Sequence, residues 1–440
     1  MDRFNVMIVH TQTRRSFQMI MKNGENDVLV DKDDQQQTTW TRNDKMLLIC
    51  CLLCDFADGT ELDLPGMLTQ QVSCDIGLSH WKEGLLDCIL FFSLAVSVMI
   101  SGPLAKRFGK RKTVLTSLYL SVCSLVICGI VANFTALLVS RALLGFCCGL
   151  RYNCLYVWAA DIASNRDILD RILFITHIFF TAGAMWSSVL GFLLLDWIGW
   201  RKFLLFSTLP VLIPPIIMVH FCVKDTKGPQ IEGSEDEAEQ QETVTVSNFA
   251  ARTTKLGLLI ACVTFNGWSI TLLVPALIQL LKNKDAGPNI HCSVTMTQGP
   301  ELLLLALVNF AGIPSLFLMH WIKDKIGFRK LQGFVSLVYV ANFVLMLTQQ
   351  NLAVAILTNF ITKFLDGIIA LGYTYVLYDV NYFGTSNFEV GASIAASIGL
   401  IGGMAGSGMV SFASTSSVII TALMVSVVQV MVVVSMTEVQ

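Results

Sequence analysis

The chain has 440 residues, a formal net charge of −2, 54% hydrophobic residues and 14% charged ones. Mean hydropathy is +0.64. Soluble domains carry about 25% charged residues, so the composition points to a bilayer, and the near-neutral charge gives no basis for a nucleic-acid partner.

Residues 1–44 form a polar head containing "DKDDQQQTT". Its start, "MDRFNVMIVHTQTRRSF", lacks the basic-then-apolar order of a cleavable signal peptide, so the first span is expected to act as an uncleaved signal. Twelve apolar blocks follow, with cores at 46–66, 84–104, 113–132, 135–159, 172–195, 202–222, 255–281, 300–321, 331–348, 352–378, 389–412 and 416–436. Blocks of about 20 apolar residues read as membrane-spanning helices. The stretch 225–254, "DTKGPQIEGSEDEAEQQETVTVSNFAARTT", is acidic and Gln-rich and is expected to be disordered in part. It divides the blocks six and six. The expected fold is an all-α membrane protein of twelve transmembrane helices in two six-helix halves. Its parts are a cytosolic tail (1–44), a first bundle (45–224), a cytosolic linker (225–254) and a second bundle (255–440).

Lysine and arginine in the loops set orientation. With both termini on one side, the loops of that side carry fifteen basic residues and the opposite loops five. Both termini are therefore expected in the cytosol, of either the plasma membrane or an intracellular vesicle membrane. The densest run is "GPLAKRFGKRKTVL" (102–115), between spans two and three, with Lys106, Arg107, Lys110, Arg111 and Lys112. A related run, "HWIKDKIGFRKLQGF" (320–334), stands at the matching place of the second half. A repeated loop at equivalent positions marks an internal repeat, a recurrent transporter plan with the substrate site between the halves.

Charges inside spans are costly, at least about 2.5–3.5 kcal/mol each at the bilayer centre. They concentrate in spans one (Asp55, Asp58, Glu61, Asp63), four (Arg141, Arg151) and ten (Lys363, Asp366). Span seven carries Asn266 and Trp268 in "FNGWS". Each of these four spans opens a three-helix set. On an ideal helix Asp55, Asp58 and Glu61 share an arc of about 120°, and Asp63 falls outside it, near the outer surface. The arc reads either as an acidic wall binding a cation or proton, or as structural ion pairs with Arg141 or Arg151. Arg141, Gly145 and Gly149 have the four-residue spacing of a helix-packing ridge; Arg151 departs from it and is a cavity candidate. Lys363 and Asp366 are three apart and suited to pair. The candidate binding set is Asp55, Asp58, Glu61, Arg151, Asn266, Trp268, Lys363, Asp366 and Tyr373. His177 reads as a satisfied buried histidine rather than a proton relay.

Other signals point away from chemistry. Most of the thirteen cysteines sit in apolar blocks as small hydrophobes. Only Cys74 and Cys292 fall outside, and sequence leaves their pairing open. "NFT" at 133–135 is a sequon in a very short loop, and "GLIGGMAGSG" (399–408) reads as a helix-packing surface rather than a nucleotide loop. No catalytic triad, metal motif or Walker sequence occurs. No enzymatic activity, cofactor or metal is expected.

At these residues the chain resembles the major facilitator superfamily of transporters. "GPLAKRFGKRK" is similar to that superfamily's first loop signature, with Gly102, Lys106, Arg107, Gly109 and Arg111. "KDKIGFRK" is similar to the second copy, with Asp324, Gly327 and Arg329. "ADGTEL", "SRALLGFCCG" and "IGWRKFLLFSTLP" resemble the branch holding the organic cation and anion transporters and the synaptic vesicle two-related proteins. The resemblance implies secondary transport of a small organic ion by alternating access. It also implies a cavity lined by spans one, four, seven and ten, a lipid bilayer as partner, a proton as possible coupling ion, and a monomer. Five acids against three bases in the cavity helices lean toward cationic substrates or proton coupling. The chain departs from the family pattern in several places. Lys106 replaces the usual acid of the first loop, His320 replaces a glycine of the second, and the motifs after spans six and ten are altered. These departures keep a second reading open, a transporter-shaped receptor or regulator. They also suggest that Glu389, at the start of span eleven, receives Lys106.

Overall fold

The computed structural model describes residues 41–131, 133–163, 166–224, 246–282, 299–323, 325–348, 352–383, 388–412 and 415–435. Their regular structure is helical. α1 is Arg42–Ile76, α2 His80–Phe108, α3 Lys110–Ile130 and α4 Phe134–Ile162. The run Arg166–Ile217 is broken at Gly199 into α5 (166–198) and α6 (200–217). α7 is Val246–Lys282; α8 consists of Gly299–Phe310 and Gly312–Ile322; α9 is Phe328–Thr348 and α10 Leu352–Leu377. A single turn, Val380–Phe383, precedes α11 (Phe388–Phe412) and α12 (Thr415–Ser435). The twelve helices match the twelve apolar blocks in order.

Two ends differ from the sequence expectation. α1 begins at Arg42 because Thr41 caps it: the Thr41 hydroxyl accepts from the Asp44 amide at 3.2 Å and the Asp44 carboxylate accepts from the Thr41 amide at 2.9 Å. Residues 246–254, assigned to the linker, are instead the first turns of α7. The rest of the linker, the polar head to residue 40 and the loop carrying Cys292 lie outside the described residues. Cys74 is disulfide-bonded.

Local chemistry explains the breaks. Gly109 joins α2 to α3 at φ 90°, and Gly199 joins α5 to α6 at φ 74°. Both conformations exclude an ordinary side chain. Eight described helices are long and apolar enough to cross a membrane, one of them the 57-residue run Arg166–Cys222, which supplies two crossings. α1 is of crossing length but holds four acids within its middle, Asp55, Asp58, Glu61 and Asp63.

Within each half, glycines let backbones touch. A Cβ on Gly145 or Gly149 of α4 would collide with the Leu90 or Leu94 carbonyl of α2. Gly59 of α1 and Gly183 of α5 meet each other's helix backbones in the same way, as do Gly402 and Gly406 of α11 with Ala261 and Phe265 of α7. The predicted ridge on α4 and the packing role of the Gly-rich stretch on α11 are both seen. Arg141 is buried on the α4 ridge, and its charge acts on Asp87 of α2. Asn133 of the sequon caps α4, its side chain accepting from the Ala136 amide at 2.8 Å.

The halves meet along α2–α11 and α5–α8. Ser397 of α11 donates to the Ala95 carbonyl of α2 at 2.8 Å, and Gly102 faces Ser393 of α11. At the end of the bundle carrying the α2–α3 turn, ion pairs cross between halves. Lys106 Nζ lies 2.9 Å from Glu389 Oε2, Arg166 lies 2.6 Å from Asp379, and Lys323 pairs with Asp170. The basic run is thus largely engaged. Lys110 pairs with Asp161 of α4 at 2.7 Å, and Arg111 donates to the carbonyls of Val219 and His220 at the end of α6, at 2.9 and 2.6 Å. Arg107 is exposed, over the Phe108 ring. His320 stacks on Phe174 of α5 (4.5 Å between centroids), with Nδ1 2.9 Å from the Tyr375 hydroxyl. Asp324 and the side chain of Arg329 lie outside the described residues; Gly327 is exposed, with open space where a Cβ would stand.

Candidate functional site

A cavity of about 200 Å³ lies between the halves, its wall drawn from α1, α2, α4, α5, α7, α8, α10 and α11. Most of that wall is apolar or aromatic. Phe91 of α2 and Trp268 of α7 pack at 4.7 Å between ring centroids. Toward the α2–α3 end the floor is a tyrosine stack, Tyr156 of α4 on Tyr378 just past α10 at 4.9 Å, which joins one half to the other.

Of the residues picked from sequence, Asp58, Trp268, Lys363, Asp366 and Tyr373 line this cavity. Asp58 does so from a locked position. The Arg151 guanidinium reaches across from α4, donates to Asp58 from both Nε and Nη2, and also donates to Glu61 Oε2 at 2.6 Å. All three side chains are at most 1% exposed. The alternatives left open for these acids, wall or ion pair, resolve by residue: Glu61 and Arg151 do not line the cavity and serve the pair, while Asp58 does both. Cys148 donates to Glu61 Oε2 at 3.2 Å. The guanidinium fills the space that a metal would need among Asp58, Glu61 and Cys148.

Asp55 departs from the expected acidic wall. It is fully buried one turn below Asp58, off the cavity, with Tyr156 of α4 as its hydrogen-bonding neighbour. Asn266 also leaves the site. Its amide donates to Ser426 of α12 at 3.0 Å, because it sits about 100° around the helix from the cavity-facing Gly267.

Asp63 is the main correction in the other direction. It was expected near the outer surface, yet it lines the cavity and is 6% exposed. Ser187 and Ser188 of α5 donate to Asp63 Oδ2 at 2.6 and 3.1 Å, and Asn309 of α8 reaches Oδ1 at 3.5 Å. Three neutral donors from two further helices make burial tolerable, and nothing local to span one signals them. Thr181, Thr264 and Asn309 are further polar wall residues that charge-based reasoning missed.

Lys363 and Asp366 contrast with the Arg151 cluster. Their charged atoms are 3.9 Å apart, and the side chains keep 23% and 19% of their exposure. Across from them α7 presents bare backbone: a Cβ on Gly267 would stand 3.0 Å from both Asp366 oxygens. His177 is satisfied as expected, with Nδ1 3.0 Å from the Leu173 carbonyl and Nε2 3.2 Å from the Thr374 hydroxyl across the interface.

Comparison with known proteins agrees with this architecture. The human organic anion transporter MFSD10 (TETRAN) superposes with a TM-score of 0.65 at 15% identity, over 89% of this chain and 99% of that one. Among curated sequences, a synaptic vesicle 2-related protein of Xenopus laevis is 22% identical over 72% of this chain and 64% of its own length. A putative transporter of Caenorhabditis elegans, svop-1, is 25% identical over 35% of this chain and 29% of its own length. A gallate transporter of Pseudomonas putida is 28% identical over 39% of this chain and 38% of its own length. The chain thus aligns with less than two thirds of the length of each of these curated relatives. The sequence profile of the Major Facilitator Superfamily matches residues 64–407, well over half of the chain. The chain belongs to the Major Facilitator Superfamily.

Proposed function

We propose that the protein is a secondary or facilitative transporter that moves a small organic ion across a membrane by alternating access, with both termini in the cytosol. The observation that carries this reading is the placement of the cavity: it sits between two six-helix halves, and its floor is made of contacts that cross from one half to the other. Tyr156–Tyr378, Lys106–Glu389, Arg166–Asp379 and Lys323–Asp170 can all part without unfolding either half. Parting them opens the cavity toward that end, which is the shear or rocking expected of such bundles. Relatives whose printed names are transporters, one of gallate, support the same reading.

The wall carries Asp58, Asp63 and Asp366 against Lys363. This acid excess favours a substrate bearing a cationic group, or protons as the coupling ion. The lipid bilayer is the one partner needed, and a monomer suffices because the cavity is complete within one chain.

The test is counterflow. The full chain in proteoliposomes, preloaded with an organic ion, accelerates entry of the labelled ion; Asp58→Asn and Glu61→Gln, at equal reconstituted amounts, abolish it. Wild-type rates in both variants, or no counterflow across a broad organic-ion panel, overturn the reading in favour of a receptor.

A further inference from the structure

The wall contains two opposite charges that are not saturated. Lys363 and Asp366 lie one turn apart on α10, and their 3.9 Å separation is beyond hydrogen-bond distance. Every other ion pair found among the described residues closes to 3.1 Å or less. Both side chains keep about a fifth of their exposure, and both line the cavity. The remaining wall acids are already held, Asp58 by Arg151 and Asp63 by hydrogen bonds from Ser187, Ser188 and Asn309 together with the longer-range attraction of Lys363.

Electrostatics decides what fits. A singly charged ligand would take one member of the pair and leave the other facing a cavity with less water and no partner, which is costly. A ligand with one charge of each sign satisfies both members and adds no net charge to the site, forming two charge-assisted hydrogen bonds. The short gap requires the two ligand charges to be close together, on one carbon or adjacent ones. The cavity that holds the pair is otherwise lined largely by apolar side chains, among them Leu62, Leu94, Val263, Leu316 and Leu400, with the Phe91–Trp268 pair. The missing side chain at Gly267 lets the Asp366 carboxylate pack closely against α7, so a ligand reaches it from the cavity side.

We propose that the cavity binds a small zwitterion with an apolar tail, an aliphatic α-amino acid or close analogue, its carboxylate on Lys363 and its ammonium on Asp366. This rests on the reading of the cavity as the substrate site and goes beyond it by assigning the substrate class.

Three probes share one isobutyl tail and differ only in charge: leucine, leucinamide and 4-methylpentanoate. The purified full chain is scanned for thermal shift against each, since a ligand of the native state raises apparent stability. Leucine is expected to act at concentrations at least tenfold below either analogue. Lys363→Met moves the preference to leucinamide, and Asp366→Asn moves it to 4-methylpentanoate; these selectivity flips would not follow from a purely structural pair. An equal response to a singly charged analogue, no response to leucine, or an unchanged preference in both variants overturns the proposal. Counterflow with the same probes separates the two readings. Leucine binding without counterflow sinks transport and keeps the zwitterion site; counterflow of leucinamide or 4-methylpentanoate alone does the reverse.

Discussion

The Asp58–Glu61–Arg151 cluster and the Lys363–Asp366 pair both place opposite charges at mid-bundle, one in each half. The first is dry: three side chains at most 1% exposed, with the guanidinium hydrogen-bonded to both acids. The second keeps about a fifth of its exposure and its charges stay 3.9 Å apart. A dry cluster is fixed by its own desolvation, since any member removed strands the others. A wet, open pair has little to lose by exchanging partners. One half therefore holds its charges as structure, and the other offers them to the cavity.

The contrast can be broken at its strong side first. Arg151→Met leaves two buried carboxylates without a cation and is expected to cost about 3–5 kcal/mol, enough to lower the melting temperature sharply or abolish folded expression. Adding Asp58→Asn and Glu61→Gln to it removes the stranded charges, so the triple variant is expected to regain most of that stability without regaining counterflow. If Arg151→Met alone melts like the parent, the cluster is not the dry lock described above.

The wet side is expected to respond oppositely. Lys363→Met and Asp366→Asn should each change stability by no more than about 1 kcal/mol, read by thermal melting, while ligand selectivity changes. A large loss of stability in either would make the two clusters alike. The smallest effect is expected at the rim. Lys106 is 62% exposed, so breaking its pair with Glu389 costs well under about 1 kcal/mol. Even so, Lys106→Glu should favour opening at that end, read as faster labelling of a cysteine placed on the cavity floor, and Glu389→Lys in the same chain should slow it again.

Sequence offered the dry cluster as one of two readings, with Arg151 assigned to the cavity instead, and named the rim pair from charge; the reasons are physical. A charge inside an apolar block must find a partner, and Lys106 in a run of cations needed an acid at the facing helix end; Glu389 was the available one. Helix order and the internal repeat followed from block length and loop charge. What sequence left hidden was burial shared among distant helices. Asp63 lies about 140° around α1 from Asp58, so a one-stripe reading placed it outside. The cavity is wider than one stripe there, and the groups that hold Asp63 come from α5 and α8. Asn266 failed for the complementary reason: a polar residue beside a cavity-facing glycine turned toward Ser426 of α12. His320 read as a lost glycine, yet it fills the space between Phe174 and Tyr375 and adds a contact between the halves.

The glycine-paved seams α1–α5, α2–α4 and α7–α11 limit how the molecule can deform. Where backbone rests on backbone, no side chain remains to swing aside, and the paired helices are bound to travel together. Spin labels on α1 and α5, or on α7 and α11, should act as fixed rulers, their separation narrow and insensitive to substrate. Labels set across the halves, on the floor side of α4 and α10, should show two separations whose weights change with ligand.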